Sequence, residues 1–178
     1  EMCIRDRRTL DLHGIALGMH AVALADMLST PTGVEALLCE ACYLGDAGIS
    51  ALVHALLASN GIRSLSVAKN TFRSDGWHAL GELVAHARTL RHLDVSQNAL
   101  SRAAVRALLA GCAESALETL RAEQCAVRGA TLEALVLALR GGRVQHLSLR
   151  HNQMPGASAE TLSCLLYTSD AADEGLGV

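Results

Sequence analysis

Net charge is nearly missing from this chain, and that absence removes several functions at once. The 15 Lys and Arg face 18 Asp and Glu, and the surplus of acid sits at the ends. Residues 1–7 hold two acids and two bases and residues 164–178 hold three acids, so residues 8–163 carry 13 charges of each sign. A neutral stretch offers no electrostatic footprint for nucleic acid or for an anionic membrane surface. No apolar run is long enough to suggest a membrane-spanning helix. No Ser-His-Asp, Cys-His or paired-carboxylate arrangement emerges with a definable geometry, so the residues predict no enzyme, no cofactor and no small-molecule substrate.

What the chain does have is a period. A Leu-x-Leu triplet, followed three residues later by Asn or Cys, starts at Leu10, Leu37, Leu65, Leu93, Leu120 and Leu147, with spacings of 27, 28, 28, 27 and 27 residues. So regular a return makes the chain an array of one small unit. The first and third triplet positions point to one face of a strand and the residues between and beside them to the other. After the strand the period changes. At 12, 15 and 19 residues past its start come Ile49, Leu52 and Leu56, then Trp77, Leu80 and Val84, then Leu132, Leu135 and Leu139. That spacing paints an apolar stripe on a helix. One strand and one helix cannot bury both faces alone, but stacked neighbours share a continuous core. The expected fold is therefore α/β, a curved solenoid with parallel strands inside and helices outside.

The best-preserved unit reads Ile62, Leu65, Val67, Asn70, Phe72, Gly76, Leu80, Leu83, and the next reads Leu90, Leu93, Val95, Asn98, Leu100, Ala104, Leu108. This L-x-x-L-x-L-x-x-N/C-x-L pattern resembles the leucine-rich repeat family, in particular its ribonuclease-inhibitor-like subfamily. The resemblance runs from Arg8 to Ser163. It implies a horseshoe, with strands on the concave face and helices on the convex one, that serves protein–protein interaction.

Asn70, Asn98 and Asn152 fall at the turn position after the strand, and Cys42 and Cys125 replace Asn in two other units. An Asn there can satisfy turn backbone with both its donors and its acceptor, which predicts a ladder inside the turn layer. Ile15 breaks the pattern in the first unit. The C-x-x-C of Cys39 and Cys42 looks like zinc or redox chemistry until the register is applied, because Cys39 then takes an inward strand position and Cys42 the Asn position. A zinc site needs two further ligands, and Cys112 on a helix and Cys125 three strands away are poorly placed to be them. Core packing is the expectation, with no metal site. Free buried thiols fit a reducing, cytoplasmic setting.

His54, His78 and His86 fall on helical segments off the apolar stripe, where a solvated face is expected. His92 and His146 share a register two strands apart, roughly 9 to 10 Å at ordinary strand spacing, too far to hold one metal ion. The strand face nonetheless offers a partner surface. Taken from register, its richer half holds His92, Asp94, Gln97, Arg121, Glu123, His146, Arg150 and His151, which are the expected partner-binding residues. Opposite charges are expected side by side at Asp94 and Arg121, Glu123 and Arg150, and His13 and Glu40. Two other roles stay open. One is a GTPase activator of the leucine-rich-repeat type, with Arg73 and Arg102 as loop arginines. The other is the sensing or autoinhibitory repeats of a larger nucleotide-binding receptor.

The two ends do not read as natural protein. Cys164 to Ser169, CLLYTS, can be encoded by TGTCTCTTATACACATCT, whose reverse complement in a shifted frame encodes Met2-Cys3-Ile4-Arg5-Asp6. The tails resemble translated ends of a transposase sequencing adapter. The expected organisation is therefore residues 1–7 as artefact, 8–163 as a repeat domain of about six units, and 164–178 as artefact. Since the first unit lacks its leading Leu and the last stops near Leu162 in mid-helix, a parent with more repeats or flanking domains is expected.

Overall fold

The computed structural model describes residues 8–30, 32–139 and 142–152. The tails and the second half of the sixth unit, including Leu162, lie outside the described residues.

Each Leu-x-Leu start lies in a strand of three residues: β1 (Thr9–Asp11), β2 (Ala36–Leu38), β3 (Ser64–Ser66), β4 (His92–Asp94), β5 (Thr119–Arg121) and β6 (His146–Ser148). They form one parallel sheet in chain order, with Leu10, Leu37, Leu65, Leu93, Leu120 and Leu147 in register. Each of the first five strands is followed by a helix that crosses back outside the sheet: α1 (Ala21–Leu28), α2 (Gly45–Ser59), α3 (Ser74–His86), α4 (Arg102–Leu108) and α5 (Gly129–Leu139). Consecutive helices pack on one another, so each unit touches its neighbours, as the period predicts. The molecule is the expected α/β solenoid.

The core is the space between sheet and helices. Leu37, Leu65, Leu93 and Leu120 fill it from the strands, and Ile49, Leu52, Leu56, Trp77, Leu80, Val84, Leu132 and Leu135 fill it from the helices. Phe72 and Trp77 meet edge to face with ring centroids 4.7 Å apart, an arrangement that aligns ring edge with ring face. Two glycines let α3 approach its neighbour. A Cβ on Gly81 would overlap the backbone carbonyl of Ala107, and one on Gly111 would strike the Cβ of Ala85.

The turn after each strand repeats the same backbone twist. Gly14, Ala41, Lys69, Gln97, Gln124 and His151, four residues past each strand-start Leu, all have φ between 54° and 73°. Left-handed backbone costs a non-glycine about 1 kcal/mol or more, so something must hold it in place. Part of the answer is the ladder: the amides of Gly14, Ala41, Lys69, Gln97 and Gln124 each donate to a carbonyl of the following unit at 2.8 to 3.0 Å. The rest comes from the residue that follows, which the twist aims inward. Asn70 Nδ2 donates to the Cys39, Val67 and Ala68 carbonyls at 2.6, 3.0 and 3.0 Å, and its Oδ1 accepts from the amides of Cys42 and Leu44 at 3.0 and 3.2 Å. Asn98 serves Val67, Val95 and Ser96 carbonyls and the Asn70 and Thr71 amides in the same way, and Asn152 repeats the pattern toward Ala122 and Cys125.

Cys42 and Cys125 keep the carbonyl half of this arrangement. Their thiols point at Leu12 O and Val95 O, at 3.0 and 3.5 Å, the carbonyls that correspond to Cys39 O for Asn70 and Val67 O for Asn98. Burial pushes the Cys39, Cys42, Cys112 and Cys125 thiols upward in pKa, and all four are free and buried. The first turn closes without Asn: the Ile15 amide donates to Leu12 O at 3.0 Å, and the Ile15 side chain is left half exposed.

Candidate functional site

On the open side of the sheet, side chains alternate with the buried leucines and stand on strands that the ladder holds rigid. His92 and Asp94 project from β4, Arg121 from β5 and His146 from β6, with His92, Thr119 and His146 aligned across the three strands. Gln97, Glu123, Arg150 and His151 follow at the turn edge, where Gln97 and His151 are exposed on left-handed backbone. All eight sequence-predicted residues therefore share one face or its rim.

A polar network crosses three strands within this patch. Arg121 Nε lies 3.5 Å from Asp94 Oδ2, and Arg121 Nη2 lies 3.2 Å from Glu123 Oε1. Ser148 donates its hydroxyl to the same Glu123 oxygen at 2.7 Å. Asp94 also accepts the Ser96 amide at 2.9 Å, and Ser96 Oγ accepts the Glu123 amide at 3.1 Å. The Ser148 hydroxyl, followed by the bond and charge of Arg121, holds the Glu123 carboxyl below its ordinary range. That carboxylate adds stability above the ordinary carboxyl pKa of about 4.3, and the contribution disappears as pH falls through its lowered value. The Arg121 end of both pairs is open to solvent, which weakens them, so their main effect is to fix side-chain geometry.

Asp94 with Arg121 and His13 with Glu40, at 3.3 Å, form the expected pairs. Glu123 lies near enough to Arg150 to feel its charge, while its direct contacts go to Arg121 and Ser148, because the long Arg121 side chain reaches along its own strand as well as across to β4.

Sequence reasoning left out a hollow next to this patch. Leu38, Glu40, Ser64 and Ser66 line it together with His92 and Asp94, because the small serines of β3 leave space between the larger side chains of β2 and β4. Ser66 donates to Glu40 at 2.9 Å and fixes that wall. Two consecutive small residues on the open face, Ser64 and Ser66, were the available signal. His54, His78 and His86 lie exposed on the helices, as expected. Arg73 and Arg102 are exposed where α3 and α4 begin. Among the described residues no three His, Cys, Asp or Glu side chains gather closely enough to hold a metal ion, and no helix is long and apolar enough to cross a membrane.

Comparison with known proteins agrees with this geometry. A family model described as Leucine Rich repeat matches residues 86–109, the span that holds β4 and α4. A curated mouse (Mus musculus) protein, "NACHT, LRR and PYD domains-containing protein 4E", is 26% identical over 137 residues, covering 75% of this chain and 14% of that protein. The chain thus spans about one seventh of that relative's length. Among solved structures, the tropomodulin C-terminal domain of Caenorhabditis elegans superposes with a TM-score of 0.61 at 14% identity, covering 97% of this chain and 93% of that one. A structure titled "Leiomodin-1 Actin-Binding Site 2 (ABS2)" superposes with a TM-score of 0.55 at 14% identity, covering 96% and 84%. At such identities the two structures speak for the fold alone.

Proposed function

We propose that this chain, a leucine-rich repeat protein, is a binding scaffold and not an enzyme, and that it holds a protein partner against the concave strand face of units four to six. The observation that carries this reading is the network of Asp94, Arg121, Glu123 and Ser148, which spans three strands and sets charged side chains in fixed positions on a rigid sheet. Side chains already ordered before binding lose less entropy when the partner arrives. His92, His146, Arg150, Gln97 and His151 surround the network with exposed donors and acceptors suited to a polar protein surface. The fixed pattern of alternating charge favours selectivity over raw affinity.

The test combines His92→Ala, Asp94→Asn, Arg121→Ala and Arg150→Ala, with Asn at position 94 chosen so that its carbonyl oxygen can still accept the Ser96 amide. Thermal melting should stay within a few degrees of the parent, while affinity capture of the partner should be lost. Capture that survives unchanged would sink the concave-face assignment.

A second reading has its own support. The name of the curated mouse relative puts NACHT, LRR and PYD domains in one protein, and this chain aligns with a small part of it. The chain would then be the sensing repeats of a larger receptor, using the same strand face. Sequencing the source transcript beyond both tails separates the two, since a nucleotide-binding domain upstream would select the receptor.

A further inference from the structure

We infer that a cleft at the opposite rim, where the chain enters β4, β5 and β6, is a binding site for a phosphate-class anion. The cleft has a volume of about 200 Å³ and is bounded by Arg88 and Arg91 before β4, Glu114 and the buried Ser115 before β5, and Arg143 before β6. Three consecutive interunit loops line one opening, with Arg88 and Arg91 from the first and Arg143 from the third. The loops precede strands that start at His92, Thr119 and His146, 27 residues apart each time, so the cluster exists only in the stacked array.

The arginines are not equivalent. Arg91 is anchored, with Nε 3.1 Å from Glu118 and Nη1 donating to the Arg88 carbonyl at 2.9 Å. Elsewhere on this rim Arg8 and Arg63 share Glu35, at 3.3 and 3.5 Å. Arg88 and Arg143 form no ion pair within 4.0 Å among the described residues, and both are exposed. With Arg91 already paired to Glu118, the lining leaves Arg88 and Arg143 against Glu114, a surplus of one positive charge that favours an anion. Guanidinium groups bind planar pairs of oxygens in forked geometry, and a phosphate has enough oxygens to engage those of Arg88 and Arg143 together, whereas a carboxylate offers two oxygens.

The site lies on the rim away from the left-handed turns and shares no residue with the concave patch, so its test is independent of the proposed partner surface. The full chain, labelled with nitrogen-15, is titrated with inorganic phosphate at constant ionic strength and, separately, with acetate. Phosphate should move the amide signals of residues 87–91, 114–116 and 143 in a saturable way, and acetate should not. Arg88→Ala and Arg143→Ala should each weaken phosphate binding about tenfold, and the double variant should abolish it. Arg102→Ala, an exposed arginine at the start of α4, should bind as the parent does. Shifts that never saturate, or that persist in the double variant, would overturn the site. An equal response to acetate would overturn the phosphate assignment.

Discussion

Asn70 makes five hydrogen bonds from one side chain, two accepted from amides and three donated to carbonyls, and it is fully buried. Asn70→Ala strands those groups away from water and should cost about 2 to 4 kcal/mol, since each unsatisfied buried group costs about 1 to 3 kcal/mol and some relax. Asn70→Cys should cost less, because a thiol there can still face the carbonyl that Cys42 and Cys125 already face in their own units. Urea denaturation of both variants beside the parent checks that order; equal losses would refute it. The four buried thiols give a pH dependence of definite sign. In the unfolded chain they ionise near pH 8.5, while burial keeps them protonated in the fold, so stability is complete below that pH and declines as pH rises above it. Iodoacetamide at pH 8, read on the peptides that hold Cys39, Cys42, Cys112 and Cys125, should label the native protein far more slowly than the denatured one. The Asn and Cys positions were legible in the sequence because their side chains follow a fixed offset from Leu-x-Leu. The left-handed residue just before them was not. Ala, Lys, Gln and His all occupy it, so only the stacked ladder reveals the constraint.

The helices were legible through their apolar stripes, since Ile49, Leu52, Trp77, Leu80, Leu132 and Leu135 lie within 3% exposure of full burial. Their ends and spacing were less so, because these depend on neighbouring units. α4 has its own cap, Ser101 Oγ accepting the Ala104 amide at 3.1 Å. α3 borrows one: Asp46 of α2 accepts the Arg73 and Gly76 amides at 2.6 and 3.1 Å, thirty residues away in the case of Gly76. Asp46→Ala should therefore destabilise the third unit by about 1 kcal/mol, a typical loss for an N-cap, and faster hydrogen exchange should appear in the first turn of α3 and not in α2. Exchange accelerated in α2 alone would contradict the borrowed cap. Gly81→Ala is the harsher change. Its Cβ would meet the backbone carbonyl of Ala107, which cannot swing aside as a side chain can, so a loss of about 3 kcal/mol is expected in denaturant midpoint. The sequence presents Gly81 as one more helix-weakening glycine; only the approach of α4 explains why that cost is accepted.

Taken whole, the molecule separates stability from recognition. Its stability comes from leucines and helix stripes that recur from unit to unit and from turn asparagines in three of them, while the open sheet face changes from unit to unit. Periodicity therefore made the fold and the identity of the open face readable, but not how neighbouring charges divide. Arg121 takes both Asp94 and Glu123, and β3 leaves a hollow through Ser64 and Ser66 that a reading confined to charged residues passes over. The most direct examination of the concave-face assignment is photocrosslinking of the captured partner from two positions, Thr119 on β5, flanked by His92 and His146, and Glu133 on the exposed face of α5. A photoreactive residue at 119 should join the partner and one at 133 should not; crosslinking from 133 with none from 119 would place recognition on the helices and contradict the assignment.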